Sequence, residues 1–322
     1  MIAPASIDIT QLPGSAITLA GAMPGPKLVV CGCVHGNEII GKQVLDALLQ
    51  HLNPQEICGS ITLILGNPAA YARGVRYVDE DLNRLWSQER VARAGNAEPL
   101  RRHTEEARVL ELLPYLEGAE YALDIHATVQ PTPHAFVYCA PTPAHRALAR
   151  CFEVPYILSP APEFSAPSMS FCLDNYVDAQ RGVGLTLEAG WLQEEGLFAA
   201  TYTGVVRALM QVGSASAEVA ALLLRRAEVG DAYAQSLHTG SASAATEPVE
   251  LEVYEEIIAQ TAEFRFVEPV ENFHRVPAGS VFAYDGAAAQ RVQCDSYIIF
   301  PKASLAPGKE AGYLARKVIA DV

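Results

Sequence analysis

The stretch "KLVVCGCVHGNEIIGKQVLDALLQHL", residues 27–52, constrains the chain more than any other. A run of apolar, β-favouring residues ends abruptly at His35-Gly36-Asn37-Glu38, and Ile, Val and Leu then recur at helical spacing. Apolar residues on consecutive positions read as a strand buried on both faces, which belongs to a sheet covered by helices. A histidine and a carboxylate three residues apart close that strand, where burial alone would select neither.

The same alternation continues. "SITLILGN" (60–67), "YALDIHAT" (121–128), "HAFVYCA" (134–140) and "VGLTLEAGW" (183–191) read as strands. Helices are predicted at 39–52, at 104–118 and at 196–212, with Thr104 as an N-cap and Gly118 just past a C-terminus. The pattern predicts an α/β fold in which a mixed sheet is flanked by helices. Residues 70–102, with Arg73, Arg76 and Arg84 around Tyr77, read as a long functional loop. Residues 214–235 read as helical, and "TGSASAATEP" (239–248) as a linker. The β-rich remainder predicts a division into a catalytic domain (1–238), the linker, and a small all-β C-terminal domain (249–322).

Charge narrows the partners. The 322 residues carry a formal net charge of −14, so nucleic acid and anionic membranes should be repelled. An anionic small molecule would need a local cluster of arginines. Seven cysteines form no regular framework. Cys31 and Cys33, two apart on a strand, should face one side and read as core residues rather than as thiolate ligands. No basic start leads into an apolar segment, and no run of roughly 20 apolar residues could span a bilayer. The expectation is a soluble, reducing, cytoplasmic setting.

In open α/β sheets, sites form beyond the carboxyl ends of strands. Four polar words stand at strand ends or in the long segment: "HGNE" (35–38), "RGVRYVDEDLNR" (73–84), "DIHAT" (124–128) and "TLEAG" (186–190). Each histidine alone would read as a satisfied core residue. Together, His35, Glu38 and His126 match a recurring catalytic zinc set of two histidines and one glutamate, with a fourth position open. Asp124 reads as a residue that orients a ligand imidazole. Glu188 ends an apolar strand, where an unpaired carboxylate is costly, and fits a general base; the plainer alternative is an ion-pair partner. Arg73, Arg76 and Arg84 supply the local positive charge, and Asn83 adds an amide beside Arg84.

The order H-x-x-E, N-P…R-Y…D-x-N-R, D-I-H-x-T, T-L-E-x-G resembles the succinylglutamate desuccinylase/aspartoacylase family. The tail "ENFHRVPAGSVFAYDG…DSYIIFPKASLAPGKEAGYLARK" is similar to the β-domain of the desuccinylase branch. The resemblance spans nearly the whole chain. It implies a zinc-carboxypeptidase-like fold, one Zn2+ per chain, and hydrolysis of an N-acyl amino acid such as N-succinylglutamate, a step of arginine catabolism. It implies His35, Glu38 and His126 as zinc ligands, Glu188 as the base, and Arg76, Asn83 and Arg84 as carboxylate-binding residues. Two positions depart. The family usually has an arginine ten residues before the glutamate, where this chain has Asp178, and the desuccinylase branch often has one at the position of Gln130. Arg181 is then the nearest candidate for the acyl side or for polarising the carbonyl. A deacylase or carboxypeptidase of different specificity, and a non-catalytic zinc- or metabolite-binding relative, are the alternatives. No G-x-S-x-G supports a serine hydrolase.

Overall fold

The computed structural model describes residues 8–98, 103–164, 172–229, 247–302 and 305–318. The N-terminal part contains β1 (Ala16–Ala20), β2 (Met23–Gly32), α1 (Ile40–His51), β3 (Cys58–Leu65), α2 (Pro68–Arg73), α3 (Gln88–Asn96), α4 (Thr104–Leu116) and β4 (Tyr121–Thr128). There follow β5 (Phe136–Cys139), α5 (Pro143–Ala149), β6 (Tyr156–Pro160), α6 (Leu173–Ala179), β7 (Val183–Trp191), α7 (Leu197–Gln211) and α8 (Ala217–Arg226). The C-terminal part is β8 (Val249–Ala259), β9 (Arg265–Phe266), β10 (His274–Val276), β11 (Val281–Asp285), β12 (Ala288–Arg291), β13 (Ser296–Ile299) and β14 (Lys309–Lys317).

One mixed sheet runs in the order β1-β3-β2-β4-β7-β5-β6-β8-β14-β13-β10, and β12-β11-β9 form a small second sheet. The expected α/β architecture is therefore present, with an all-β C-terminal region. That region's first strand extends the main sheet: β8 pairs in parallel with β6, from Tyr156–Val249 to Pro160–Val253. The linker expected at 239–248 lies outside the described residues as far as 246.

The central strands β2, β4 and β7 are parallel neighbours. Side chains at alternate positions share a face. Leu123, Ile125, Leu185 and Leu187 join Leu45 and Leu48 of α1 and Val205 and Leu209 of α7 in one core. Val29, Cys31 and Ala122 join Val109 and Leu112 of α4 and Leu173 and Val177 of α6 in the other. Among the described residues no helix is long and apolar enough to cross a membrane.

Three local expectations change. The segment expected as an irregular loop holds two short helices. Asn67 Oδ1 accepts from the Ala70 N–H at 3.1 Å ahead of α2, and Ser87 Oγ accepts from the Arg90 N–H at 3.1 Å ahead of α3. Thr104 is the first helical residue of α4 rather than its cap, and its N–H and hydroxyl both donate to Asp79 Oδ2. Cys31 and Cys33 face different cores, because β2 ends at Gly32 and Cys33 turns to a φ of 56°. Both are free and buried.

Candidate functional site

The turn after β2 brings His35 and Glu38 to one point. Gly36 makes this feasible: a Cβ there would lie 2.1 Å from the backbone of Ala70 and Tyr71. The Gly36 N–H donates to the Arg76 carbonyl at 3.1 Å, tying the turn to the segment after α2. His35 Nδ1 lies 2.8 Å from Glu38 Oε1. β4 delivers His126, whose Nδ1 lies 2.9 Å from Glu38 Oε2 and 3.1 Å from His35 Nδ1. All three residues are buried, and one donor atom from each lies within 4.8 Å of the others.

The far ring nitrogens are occupied. His35 Nε2 lies 3.0 Å from Asp81 Oδ1, and His126 Nε2 lies 3.0 Å from Asp124 Oδ2. A carboxylate on one nitrogen fixes the tautomer and turns the other nitrogen inward as a donor to metal. Two such imidazoles and one carboxylate fit a divalent zinc ion with an open coordination position. In the protein alone, burial opposes charge on Glu38, but His35 and His126 hold its carboxyl well below the usual range. Burial likewise disfavours a charged His126, and Asp124 and Glu38 outweigh it, raising the imidazole well above its ordinary value. A divalent cation would take the place of those protons.

Glu188 stands beside this cluster because its strand pairs with β4 in register, His126 opposite Glu188 and Asp124 opposite Thr186. Burial pushes the Glu188 carboxyl up to about 7. A carboxyl poised there can take a proton and return it near neutral pH.

His35, Glu38, Asp81 and Glu188 line a cavity of about 710 Å³, and His126 sits behind them, in contact with His35 and Glu38. Arg76, Asn83 and Arg84 line it too. Arg76 reaches Glu38 Oε1 at 3.5 Å and Asp81 Oδ2 at 3.3 Å. Arg84 donates to the Asn83 carbonyl at 3.0 Å. Asn83 Oδ1 and Thr186 Oγ1 are buried without a hydrogen-bond partner among the described residues. Of the remaining expected residues, Gln130 lines the cavity, whereas Arg73 and Arg181 are exposed and outside its lining. Asp178 serves the fold instead: its Oδ1 accepts from the Gly184 N–H at 2.7 Å and lies 2.9 Å from His145 Nε2.

Sequence reasoning missed six residues of the site and its support. Asp81 orients His35, and only its place in "DEDLNR" hinted at a role. Glu105, in the first turn of α4, accepts from the N–H groups of Val78, Asp79 and Glu80 and from Asn67 Nδ2, and so shapes the arginine segment. Phe300, Lys302, Glu310 and Tyr313 line the cavity from the C-terminal region; they lie in the tail that resembles the desuccinylase β-domain, but nothing in the sequence singled them out as site residues.

Known proteins resemble this chain in sequence and in fold. The family model described as succinylglutamate desuccinylase/aspartoacylase catalytic domain matches residues 24–211. The chain is 34% identical over 126 residues to a probable aspartoacylase of Parasynechococcus marenigrum, covering 38% of this chain and 40% of that protein. It is 30% identical over 115 residues to a succinylglutamate desuccinylase of Shewanella piezotolerans, covering 34% of this chain and 33% of that protein. The matched stretches thus span well under half of either relative. The structure of a succinylglutamate desuccinylase from Vibrio parahaemolyticus superposes with a TM-score of 0.69 at 19% identity, over 94% of this chain and 86% of that one. The shared fold extends through the C-terminal strands, and the matched stretch contains every strand-end word from "HGNE" to "TLEAG". The chain belongs to the succinylglutamate desuccinylase/aspartoacylase catalytic-domain family.

Proposed function

We propose that the chain is a zinc-dependent hydrolase of the amide bond in a small anionic N-acyl amino acid. N-succinylglutamate, cleaved to succinate and glutamate, is the first substrate to test. The observation that carries this reading is the convergence of His35, Glu38 and His126 beside Glu188 in a cavity that also holds Arg76 and Arg84. Family membership supports it, since relatives carry the names desuccinylase and probable aspartoacylase.

His35, Glu38 and His126 hold the metal, one ion per chain. Bound there, zinc supplies Lewis acidity toward the scissile carbonyl. Asp81 and Asp124 keep the two imidazoles aimed inward. Glu188 takes the proton of the attacking water and gives it to the leaving amine. Its raised pKa suits both halves of that task, because a base that must also act as an acid works best near the ambient pH. Arg76, Asn83 and Arg84 bind the carboxylates of the amino-acid half through charge-assisted hydrogen bonds. The reaction would belong to cytoplasmic arginine catabolism.

The test is a panel of N-succinyl, N-acetyl and N-formyl amino acids with zinc-loaded protein. Turnover of any of them supports the reading, and the preferred acyl group separates desuccinylase from aspartoacylase chemistry. Stoichiometric zinc without turnover on the whole panel would instead support a metabolite-binding relative. Asp178 in place of the expected arginine keeps that second reading in view.

A further inference from the structure

Strand order gives the cavity two walls. β3 and the arginine segment that follows it lie on one side of β2 and β4. β7, β5 and, further along, β14 and β13 lie on the other. Arg76, Asn83 and Arg84 come from the first wall; Phe136, Phe300, Lys302 and Glu310 come from the second. An amide held at the cluster has two halves, and each wall faces one of them.

Among the described residues, the cationic side chains of the lining are Arg76, Arg84 and Lys302. The second wall therefore has Lys302 as its cation. Its Nζ lies 2.8 Å from Glu310 Oε1, and its side chain is 48% exposed. An ammonium has three donors, so one contact with Glu310 leaves capacity for another anion. The lysine end of the pair is half in solvent while Glu310 is 15% exposed, so the ammonium can take a second anion without leaving the glutamate.

The base of Lys302 is fixed. Its N–H donates to the Ala311 carbonyl at 2.9 Å. The chain reaches it through Phe300, whose φ of 52° lies in the left-handed region that a bulky residue rarely adopts. The Phe300 N–H donates to Asn272 Oδ1 at 2.8 Å, and its ring meets that of Phe136 at 5.4 Å between centroids. The fold sustains a strained bend two residues before the lysine, and such strain collects at functional positions. Among the described residues no other cation lines this wall, and Arg181 lies outside the lining.

Resting on the amide-hydrolase reading above, we propose that Lys302 is the specificity residue for the acyl half, taking the distal carboxylate of a dicarboxylic acyl group. Phe136 and Phe300 cover the methylenes between that carboxylate and the amide carbonyl. Glu310 holds the ammonium at the wall between turnovers.

The test compares zinc-loaded wild type, Lys302→Met and Lys302→Arg on N-succinyl-glutamate and N-acetyl-glutamate. In Lys302→Met the succinyl-to-acetyl ratio of kcat/KM should fall roughly ten-fold or more, and Lys302→Arg should restore most of it. A ratio that stays at the wild-type value in Lys302→Met overturns the proposal. Calorimetric titration with succinate, with acetate as control, gives a second readout that needs no turnover. Weaker succinate binding in Lys302→Met supports the assignment; undiminished binding overturns it. If wild type cleaves neither amide, the hydrolase reading fails on its own, and the succinate titration still decides Lys302.

Discussion

His126 Nε2 lies 3.0 Å from Oδ2 of Asp124, two residues earlier on the same strand. Positions i and i+2 of a strand share a face, so the sequence spacing dictates this pairing once β4 forms. It leaves Nδ1 as the nitrogen turned toward Glu38 and His35.

The proposed metal set can be tested on that geometry. His126→Ala should lose stoichiometric zinc and activity together. Asp124→Asn should keep the fold but weaken zinc affinity by roughly 10- to 100-fold, as is usual when the partner of a ligand imidazole is lost. Chelator competition measures both. A His126→Ala protein that still holds one zinc per chain would show that the ligand set is wrong.

Glu188→Gln keeps the side chain's shape and removes its proton acceptor. Turnover should drop by about 10²-fold or more while zinc content is unchanged. Near-normal turnover in this variant rules Glu188 out as the base.

The arginine segment separates binding from support. Arg84→Ala should weaken substrate binding by roughly 2–5 kcal/mol if the bound ion pair is desolvated, and should leave zinc in place. Glu105 does not itself line the cavity, yet it fixes three consecutive N–H groups just ahead of Asp81 and Arg84. Glu105→Ala should therefore raise KM and lower thermal stability together, whereas Arg84→Ala should move KM alone. Identical stability losses in the two variants would contradict this division.

Asp174 is wholly buried in α6, and neither carboxylate oxygen has a hydrogen-bond partner among the described residues. Burial first, then the charges of Asp124 and Asp178, push its pKa up to about 7 from an ordinary 3.8. The folded state then binds an extra proton across the window between those values. Stability should fall as pH rises through it, by roughly 1.4 kcal/mol per pH unit for a fully differential proton. Asp174→Asn removes that slope. Urea unfolding should find the variant more stable than wild type at pH 8, with the advantage shrinking by pH 5. A variant less stable than wild type at pH 8 would sink the argument.

Much of the site was legible because its signals are local. An apolar run that ends in His35-Gly36-Asn37-Glu38 marks a strand end, and the tight turn between β2 and α1 carries both side chains to one point. "DIHAT" and "TLEAG" repeat the device, and β4 and β7 occupy the expected residues, Tyr121–Thr128 and Val183–Trp191. Period and punctuation decide such features, and both are written in neighbouring residues.

The tertiary structure decided what depends on register and strand order. Pairing of His126 with Glu188 across β4 and β7 sets the Glu188 carboxyl beside the His35–Glu38–His126 cluster, and no spacing in the sequence encodes it. Asp81 meets His35 across 46 positions, and Lys302 enters the cavity from strands that extend the sheet far from β2. Cys31 and Cys33 parted because a strand that ends one residue early reverses the face of the next side chain. Local preference fixes which segments become strands and helices; the burial of whole faces against one another chooses their order, and that choice brings distant side chains to one cavity.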